Sequence, residues 1–555
     1  MAKKNQNPKY IFVVGGVISG VGKGIAASSI GKILQDRGLT VTAVKIDPYV
    51  NVDAGTMNPT EHGEVFVLED GDETDQDMGN YERFLGTTLS RLNYMTTGRV
   101  YQSVIEAERS MAYGGKCVQV VPHIPLEVVR RIKKAQEKAK ADVVVIEIGG
   151  TVGEYENILF LEAARMLKIE HPKDVLFVMV SYLPVPSTVG EMKTKPTQHA
   201  VRTLNASGIQ PDILIARSNT PLDEKRKEKI AYFCNIATDR VISAPDISSI
   251  YDVPINFEKE HLSEQLCELL FLKCGTKENP NTKKWQQLAS RIHSATDEVK
   301  IAIIGKYFDT GDFTLSDSYL SVIEAVKYSA FWQNKKPVLT WLNALDFEDD
   351  PKRVKELSKY DGIIVPGGFG KRGVEGKIHV IRYAREHKIP FFGLCYGMQL
   401  AVIEFARNVA KIKSAHTREV EPNGTHLIIT TMEGQDDNLK NMRYGGSMRL
   451  GGYKALLKEG THARKAYGKR EVVERHRHRF EVNLDYIQEL TEKGLVFSGI
   501  SPNRTLMEIA ELPKSVHPFF VGTQFHPEFL ARPLAPHPLF TAFVKAAVAH
   551  QRISK

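Results

Sequence analysis

An apolar run at residues 11–14 ends directly in Gly15-Gly16-Val17-Ile18-Ser19-Gly20-Val21-Gly22-Lys23-Gly24, and residues 25–34 then carry apolar side chains at helical spacing. Strand, glycine loop and helix in that order leave few folds open. Backbone N–H groups of such a turn, with the helix N-terminus, can hold phosphate oxygens, and Lys23 can reach the terminal phosphates. The match to the common phosphate loop departs in two places. Its first glycine is one residue further away, and Gly24 stands where a Ser or Thr usually ligates Mg²⁺. A magnesium ion here would need other oxygen ligands. The bland alternative is a glycine-rich turn with no ligand; the strand–loop–helix context favours the cradle.

At 555 residues the chain exceeds what one hydrophobic core serves, so two or more domains are expected. Residues 10–270 alternate short β-branched runs with helical stretches, which predicts α/β layers on a parallel sheet. The expected strands there are residues 10–14, 41–45, 143–148, 175–180 and 212–216. Residues 274–298 are rich in Lys, Asn and Gln and include Pro280, and read as a linker. A second α/β unit opens with a strand at 300–304, with further strands at 362–365, 390–393 and 519–524. The expected division is residues 1–272, a linker at 273–299, and residues 300–555.

The net charge of +8 is mild at this length and suits small anionic substrates. No dense Lys/Arg arm argues for nucleic acid. The longest apolar runs are strand-length, far below a membrane span, and the polar residues 1–10 do not read as a signal peptide. Five cysteines without a CxxC pair argue against a disulfide framework and for a reducing compartment. Cys117, Cys234, Cys267 and Cys274 read as inert.

Two carboxylates are candidates for the missing metal ligands. Asp77 ends the acidic run Glu69-Asp70-Gly71-Asp72-Glu73-Thr74-Asp75-Gln76-Asp77, which taken alone reads as a solvated loop. Glu147 closes the apolar strand 143–148 just before Gly149-Gly150-Thr151, and the C-terminal ends of strands are where ligands sit in open α/β sheets.

In the second unit, strand 390–393 runs into Gly393-Leu394-Cys395-Tyr396-Gly397 and then a helical stretch at 398–406. This resembles the nucleophile elbow of hydrolases with sulfur in place of oxygen, and the helix N-terminus favours the thiolate. Such a thiol needs a base and an orienting carboxylate, which Gln524-Phe525-His526-Pro527-Glu528 offers as His526 and Glu528. Pro366-Gly367-Gly368-Phe369-Gly370 can present N–H groups to an oxyanion. Taken alone, Cys395 reads as a buried inert thiol; the three features together read as catalysis. Arg475-His476-Arg477-His478-Arg479 holds too few histidines for a metal site and reads as a basic loop contacting a carboxylate ligand.

The second domain resembles the class I, triad-type glutamine amidotransferases throughout, and the first resembles the amidoligase domain of the CTP synthases. The resemblance rests on residues 16–24, on 47–84 (Asp47-Pro48-Tyr49-Val50-Asn51-Val52-Asp53 and Glu61-His62-Gly63-Glu64-Val65-Phe66-Val67 within it), on Lys193-Thr194-Lys195-Pro196-Thr197-Gln198-His199 and on residues 475–481. It implies a P-loop-type parallel-sheet amidoligase domain joined to an α/β glutaminase. It also implies that ATP phosphorylates O4 of UTP and that ammonia from glutamine displaces the phosphate to give CTP.

By the same resemblance Gly20, Val21, Gly22, Lys23, Gly24, Ile25, Asp77, Pro245, Asp246 and Ile247 hold ATP, and Asp77 with Glu147 binds Mg²⁺. Ser19, Lys45, Lys193, Thr194, Lys195, Pro196, Thr197, Gln198 and Lys229 contact the pyrimidine nucleotide. Glu154, Tyr155 and Glu156 form the CTP feedback segment. Gly368, Tyr396, Gly397, Met398, Gln399, Glu419 and Arg479 contact glutamine. Ammonia is expected to follow a closed path between the domains, near His62 and Val65. The resemblance further implies GTP as activator, CTP as inhibitor, a homotetramer and a cytoplasmic enzyme. Tyr396 stands where a leucine is common, and Glu154-Tyr155 where Asp-Ile is common. Two rivals stay open on the residues alone. One is another P-loop amidoligase fused to a glutaminase, such as a cobyrinic-acid amidase. The other is a non-enzymatic nucleotide-sensing scaffold that assembles filaments.

Overall fold

The run Val143-Val144-Val145-Ile146-Glu147-Ile148 is apolar at nearly every position, and all six residues are buried. A strand without polar alternation belongs inside a parallel sheet covered on both faces. The computed structural model, which describes residues 7–188, 190–275, 279–306, 316–442 and 445–554, places it there. The chain divides into two compact units, residues 1–53 with 77–289, and residues 54–76 with 290–555.

In the first unit the elements that position the site are β1 (Lys9–Gly15), α1 (Lys23–Asp36), β2 (Val41–Asp47), α2 (Asp77–Leu85), β3 (Tyr94–Thr96), β4 (Val143–Ile148), β5 (Val175–Tyr182), α3 (Lys195–Ala206), β6 (Ile213–Ser218), α4 (Glu224–Cys234) and β7 (Val241–Pro245). The seven strands form one parallel sheet in the order β3-β2-β4-β1-β5-β6-β7. Each expected strand is present, longer at one or both ends or, for 143–148, with the same limits; the one expected at 212–216 starts one residue later and runs on to Ser218. β3 and β7 were not foreseen. β3 has three residues, too short for periodicity to register.

The stretch read as a linker contains helix α5 (Pro280–Ser294), in which Trp285 and Leu288 are buried. Trp285 Nε1 donates to the Tyr251 carbonyl at 2.8 Å. The Lys, Asn and Gln that suggested a linker occupy the helix's solvent face, while its apolar residues anchor it. Residues 276–278 of that stretch lie outside the described residues. The cysteine reading is also corrected, because Cys267 and Cys274 are joined as a disulfide with Cα atoms 6.2 Å apart. Pairing depends on Cα separation, which the chain's turn after helix Leu262–Leu269 sets and which no count of cysteines reveals. Cys117 is exposed, and Cys234 and Cys395 are buried.

The second unit holds β8 (Glu298–Gly305), α6 (Leu320–Phe331), β9 (Lys336–Asn343), β10 (Gly362–Val365), α7 (Val374–Glu386), β11 (Phe391–Leu394), α8 (Tyr396–Asn408), β12 (Arg449–Leu457), β13 (Glu471–His478), β14 (Val496–Ile500), β15 (Met507–Glu511) and β16 (Phe520–Thr523). They make a nine-stranded sheet in the order β9-β8-β10-β11-β16-β15-β14-β12-β13. Its first five strands run parallel and the rest pair antiparallel. The antiparallel half was not foreseen.

Residues 54–76 pack within this unit, which a single cut near residue 272 does not capture. The Glu64 carboxylate accepts from Ser321 N at 3.1 Å and Ser321 Oγ at 2.5 Å, in the first turn of α6. Arg475 Nη1 donates to the Val67 carbonyl at 3.1 Å, and Phe66 meets Phe529 at 5.0 Å between centroids.

Candidate active site

β1 delivers the chain to the glycine loop at the C-terminal edge of the first sheet. Gly20 and Gly22 sit at φ 71° and 91°, in the left-handed region that glycine tolerates, and Gly22 caps α1. Lys23 opens the helix, is buried, and donates from Nζ to the Gly150 carbonyl at 2.8 Å. Burial lowers its pKa, against the opposing pull of Glu147.

In β2 and β4, Lys45 and Glu147 are register partners, so both side chains leave the sheet side by side. Lys45 Nζ lies 2.5 Å from Asp77 Oδ2, 2.9 Å from Glu147 Oε1 and 3.7 Å from Asp47 Oδ1. The other Glu147 oxygen accepts from the Tyr81 hydroxyl. Burial drives Glu147 upward in pKa. Burial would do the same to Asp77, but the Lys45 ammonium outweighs it and holds that carboxyl below its ordinary range. The acidic run is therefore not a solvated loop at its end, because Asp77 opens α2 and points inward.

This arrangement explains the glycine that breaks the phosphate-loop pattern. A Cβ on Gly24 would collide with the Asp77 carboxylate. The space a Ser or Thr hydroxyl usually takes is filled here by a carboxylate from elsewhere in the chain. Asp77 and Glu147 offer hard oxygen donors, beside an Asp47 oxygen that has no hydrogen-bond partner among the described residues, which fits a magnesium ion that takes one or two carboxylates plus phosphates.

The remaining nucleotide candidates fall into separate groups. Ser19 and Lys229 are exposed, the latter on α4. Gly20, Val21, Gly22, Gly24 and Ile25 lie in the loop and first turn of α1. Pro245 ends β7, while Asp246 pairs with Arg217 at 2.7 Å and Ile247 stands partly exposed. Arg217 was missed by the sequence reading. It ends near the loop, 3.0 Å from where a Cβ on Gly22 would stand. The signal was available, since Arg217 is the penultimate residue of a buried parallel strand, at the edge where ligands bind.

At the start of α3, Thr194 precedes Lys195 and Pro196. Thr197 is buried and bonds Ser181 and the Tyr182 carbonyl, Gln198 bonds Thr194 Oγ1, and Lys193 pairs with Glu191 at the surface. Glu154, Tyr155 and Glu156 follow the Gly149–Gly153 turn in exposed positions. Val152 N donates to the Gly15 carbonyl at 2.8 Å, so that turn is tied to the phosphate loop.

In the second sheet three neighbouring parallel strands, β10, β11 and β16, deliver the reactive groups at one edge. β10 ends in Pro366-Gly367-Gly368, β11 in Cys395 and β16 in the segment carrying His526. Cys395 is left-handed at φ 48°, ψ −99°, and sits at the N-terminus of α8. The turn is tight enough that a Cβ on Gly393 would come within 2.7 Å of the Gly397 backbone, and one on Gly397 would strike the Val365 carbonyl. Small residues on both sides are therefore obligatory.

His526 Nδ1 pairs with Glu528 Oε1 at 2.7 Å, leaving Nε2 as the ring atom for the thiol side. Gly367 lies against both groups. A Cβ there would be 3.1 Å from His526 Cε1 and 3.8 Å from Cys395 Cβ. Burial pushes the imidazole pKa down, but Glu528 and the Cys395 sulfur outweigh it and raise His526 to about 10.

A cavity of about 760 Å³ opens over these residues. Its lining includes Gly368, Cys395, Glu419, Arg479, His526 and Val65. Glu419 Oε1 accepts from Gly370 N at 2.6 Å. Tyr396, Gly397 and Met398 are buried at the start of α8, behind the Cys395 that reaches the cavity. Gln399 is buried, with Nε2 bonded to the Phe480 carbonyl at 2.9 Å and Gln524 Oε1 at 3.1 Å. His62 lies 3.4 Å from Asp75.

The Arg475–Arg479 cluster is not a loop. Residues 475–478 end β13, and its arginines meet carboxylates of the same chain, Arg475 with Glu69 and Arg477 with Glu73. His476 and His478 are buried, and His476 Nε2 pairs with Glu508 at 2.7 Å. The carboxylates it was expected to find on a ligand are, for Arg475 and Arg477, supplied by residues 54–76 of the same chain.

The chain matches the family described as CTP synthase N-terminus over residues 9–272 and that described as glutamine amidotransferase class-I over residues 314–546. The CTP synthase of Desulfotalea psychrophila is 50% identical over 554 residues, covering 98% of each chain. That of Thermococcus gammatolerans is 50% identical over 541 residues, 97% of this chain and 98% of its own. Among solved structures, the glutaminase domain of Trypanosoma brucei CTPS with bound acivicin is 34% identical, with TM-score 0.41, and covers 45% of this chain and 94% of that one. Among the described residues no helix is long and apolar enough to cross a membrane. Identity of one residue in two, sustained across both units and nearly the whole length of each relative, places this chain in the CTP synthase family of glutamine-hydrolysing ligases that serve pyrimidine biosynthesis.

Proposed function

We propose that the chain phosphorylates O4 of UTP with ATP in the first unit and supplies the nitrogen by hydrolysing glutamine in the second. The observation that carries this reading is the pairing of a phosphate loop backed by Lys23, Lys45, Asp77 and Glu147 with a Cys395–His526–Glu528 constellation in one polypeptide.

At the second site Cys395 Sγ attacks the glutamine carboxamide carbon. The N–H groups of the Gly367–Gly368 turn face the oxyanion that forms. His526, oriented by Glu528, gives its proton to the leaving nitrogen, and ammonia departs to leave a thioester on Sγ. Water then attacks the thioester carbon, His526 takes its proton, and glutamate leaves as the thiolate returns. Glu419 and Arg479, across the cavity, suit the amino and carboxylate groups of glutamine.

At the first site the glycine loop and Lys23 hold the ATP phosphates, and Lys45 balances the carboxylates around it. Asp77 and Glu147 would hold a magnesium ion with the nucleotide phosphates; when bound, such an ion spreads charge over the transferring phosphoryl group. A ring carbonyl oxygen is a poor leaving group. Once O4 carries the phosphoryl group, ammonia attacks C4, phosphate leaves, and a proton is lost to give CTP. Val65 lines the glutaminase cavity, and the ammonia route is assigned to begin near it and His62.

Regulation by GTP and CTP, assembly into a tetramer and a cytoplasmic location belong to the same proposal. Lys193–Gln198 and Lys229 are assigned to the pyrimidine nucleotide, and Glu154–Glu156 to CTP feedback. The test is Cys395→Ala. Glutamine-dependent CTP formation, followed by absorbance, should vanish while ammonia-dependent formation stays near the unmodified rate. A folded variant that also fails with ammonia overturns the division into two sites.

A further inference from the structure

We propose that Gln524 is a further catalytic residue of the glutaminase site, whose amide N–H holds the negative charge on Cys395 Sγ. The proposal rests on the triad reading above.

Gln524 leaves the end of β16 two residues before His526. Its Nε2 lies 3.5 Å from Sγ, and the side chain is 1% exposed. An amide can present oxygen or nitrogen to a neighbour, so its orientation must be fixed by something else. Here a backbone group fixes it. The Phe480 carbonyl can only accept, so it takes an N–H from Gln399 Nε2 at 2.9 Å. The same nitrogen donates to Gln524 Oε1 at 3.1 Å. With its oxygen so occupied, Gln524 can turn only its NH₂ toward the sulfur. Gln399 thereby acts as a positioning residue, from the first turn of α8.

The sulfur has a second polar neighbour, the Arg477 carbonyl at 3.7 Å. That oxygen can receive the S–H of a neutral thiol but offers nothing to a thiolate. Gln524 is the complement, a donor that serves the ionised form. The two partners switch as the proton moves, and hydrogen bonds to charged groups are the stronger kind. His526 supplies the opposing charge, and Gln524 supplies a neutral dipole that cannot itself leave with the proton. The titratable groups around the sulfur are His526 with Glu528 behind it, and Arg477, Arg479 and Glu419 on the cavity wall. All are retained in the variants below.

The experiment uses the full-length enzyme. Alkylation of Cys395 by iodoacetamide is followed by mass spectrometry of its peptide, which separates it from exposed Cys117, at a series of pH values. Gln524→Met keeps the bulk and removes the donor. Its Cys395 should react at least about tenfold more slowly near neutral pH, with the deficit closing as the solution becomes alkaline and the thiol ionises regardless. Gln524→Glu, which presents an acceptor of the same shape, should show the same pattern more strongly, so the proposal does not depend on one variant. Ammonia-dependent CTP formation should be unchanged in both and reports that the chain is folded.

Superimposable alkylation profiles for the variants and the parent would overturn the proposal. So would a deficit of the same size at every pH, which would mean altered access rather than lost charge stabilisation. Failure of the triad reading is distinguishable, since it shows as glutamine-dependent activity surviving in Cys395→Ala.

Discussion

Arg477 Nε donates to Glu73 Oε1 at 2.8 Å, and Glu73 is 1% exposed although it lies in an acidic run that looks made for solvent. Its other oxygen accepts from Gly446 N at 3.2 Å. The pair fixes residues 54–76 onto strand β13, whose Arg477 carbonyl also faces the nucleophilic sulfur.

Removing one partner of a buried ion pair strands the other. Glu73→Ala should therefore destabilise the enzyme by about 3 kcal/mol, read as a lowered Tm in a thermal melt. Glutamine-dependent synthesis should fall further than ammonia-dependent synthesis, because β13 borders Cys395. An unchanged melt would show that the pair contributes nothing to holding residues 54–76.

Lys23→Ala, Asp77→Asn and Glu147→Gln should each cripple CTP formation with either nitrogen source. Each removes a charge from the site assigned to phosphoryl transfer, where such groups contribute several kcal/mol to the transition state. Gly24→Ser should behave similarly for a steric reason, since a Cβ there meets the Asp77 carboxylate. Near-normal ammonia-dependent rates in any one of these variants would remove that residue from the site.

Lys377 lies on α7 with no exposed surface, and among the described residues its Nζ has no hydrogen-bond partner. It sits 5.7 Å from the Tyr396 ring centroid. Burial, with repulsion from Lys306, holds its pKa well below the ordinary 10.5. Unfolded, the amine regains that ordinary value, so between the depressed folded-state pKa and 10.5 the unfolded chain binds more protons and stability rises with pH through that window. Each unit of depression costs about 1.4 kcal/mol at neutral pH. Lys377→Met should raise the Tm and flatten its rise on the alkaline side. A lower Tm at neutral pH would mean that the amine is held by something its burial does not reveal.

Glu156→Ala should raise the CTP concentration needed for half-inhibition roughly tenfold, the loss of one charged hydrogen bond. UTP affinity should move much less. Titrating CTP at fixed UTP decides it. Identical inhibition curves would leave Glu156 as an idle acid near the N-terminus of the helix that follows.

The elements that carry the chemistry were legible because each is local. A strand, a glycine turn and a helix start lie within about twenty residues at residues 10–30 and again at 390–406, and backbone geometry there depends only on neighbours in sequence. Strand edges, the phosphate loop, the cysteine elbow and the His-Pro-Glu segment could all be read this way. The role of Gly24 could not, because the reason for it is Asp77, which reaches the loop only once α2 packs beside α1.

The same limit governs the rest. Nothing local ties residues 54–76 to the second unit, sends Arg475 and Arg477 inward to Glu69 and Glu73, joins Cys267 to Cys274, or turns the Gln524 amide toward the thiol. Each depends on groups brought together by strand order and on the cost of leaving a buried charge or amide unpaired. The sequence by itself determined which residues can do chemistry and on which turns they sit. Tertiary structure decided which of them meet, because burial and hydrogen-bond satisfaction are properties of the packed chain and not of its local stretches.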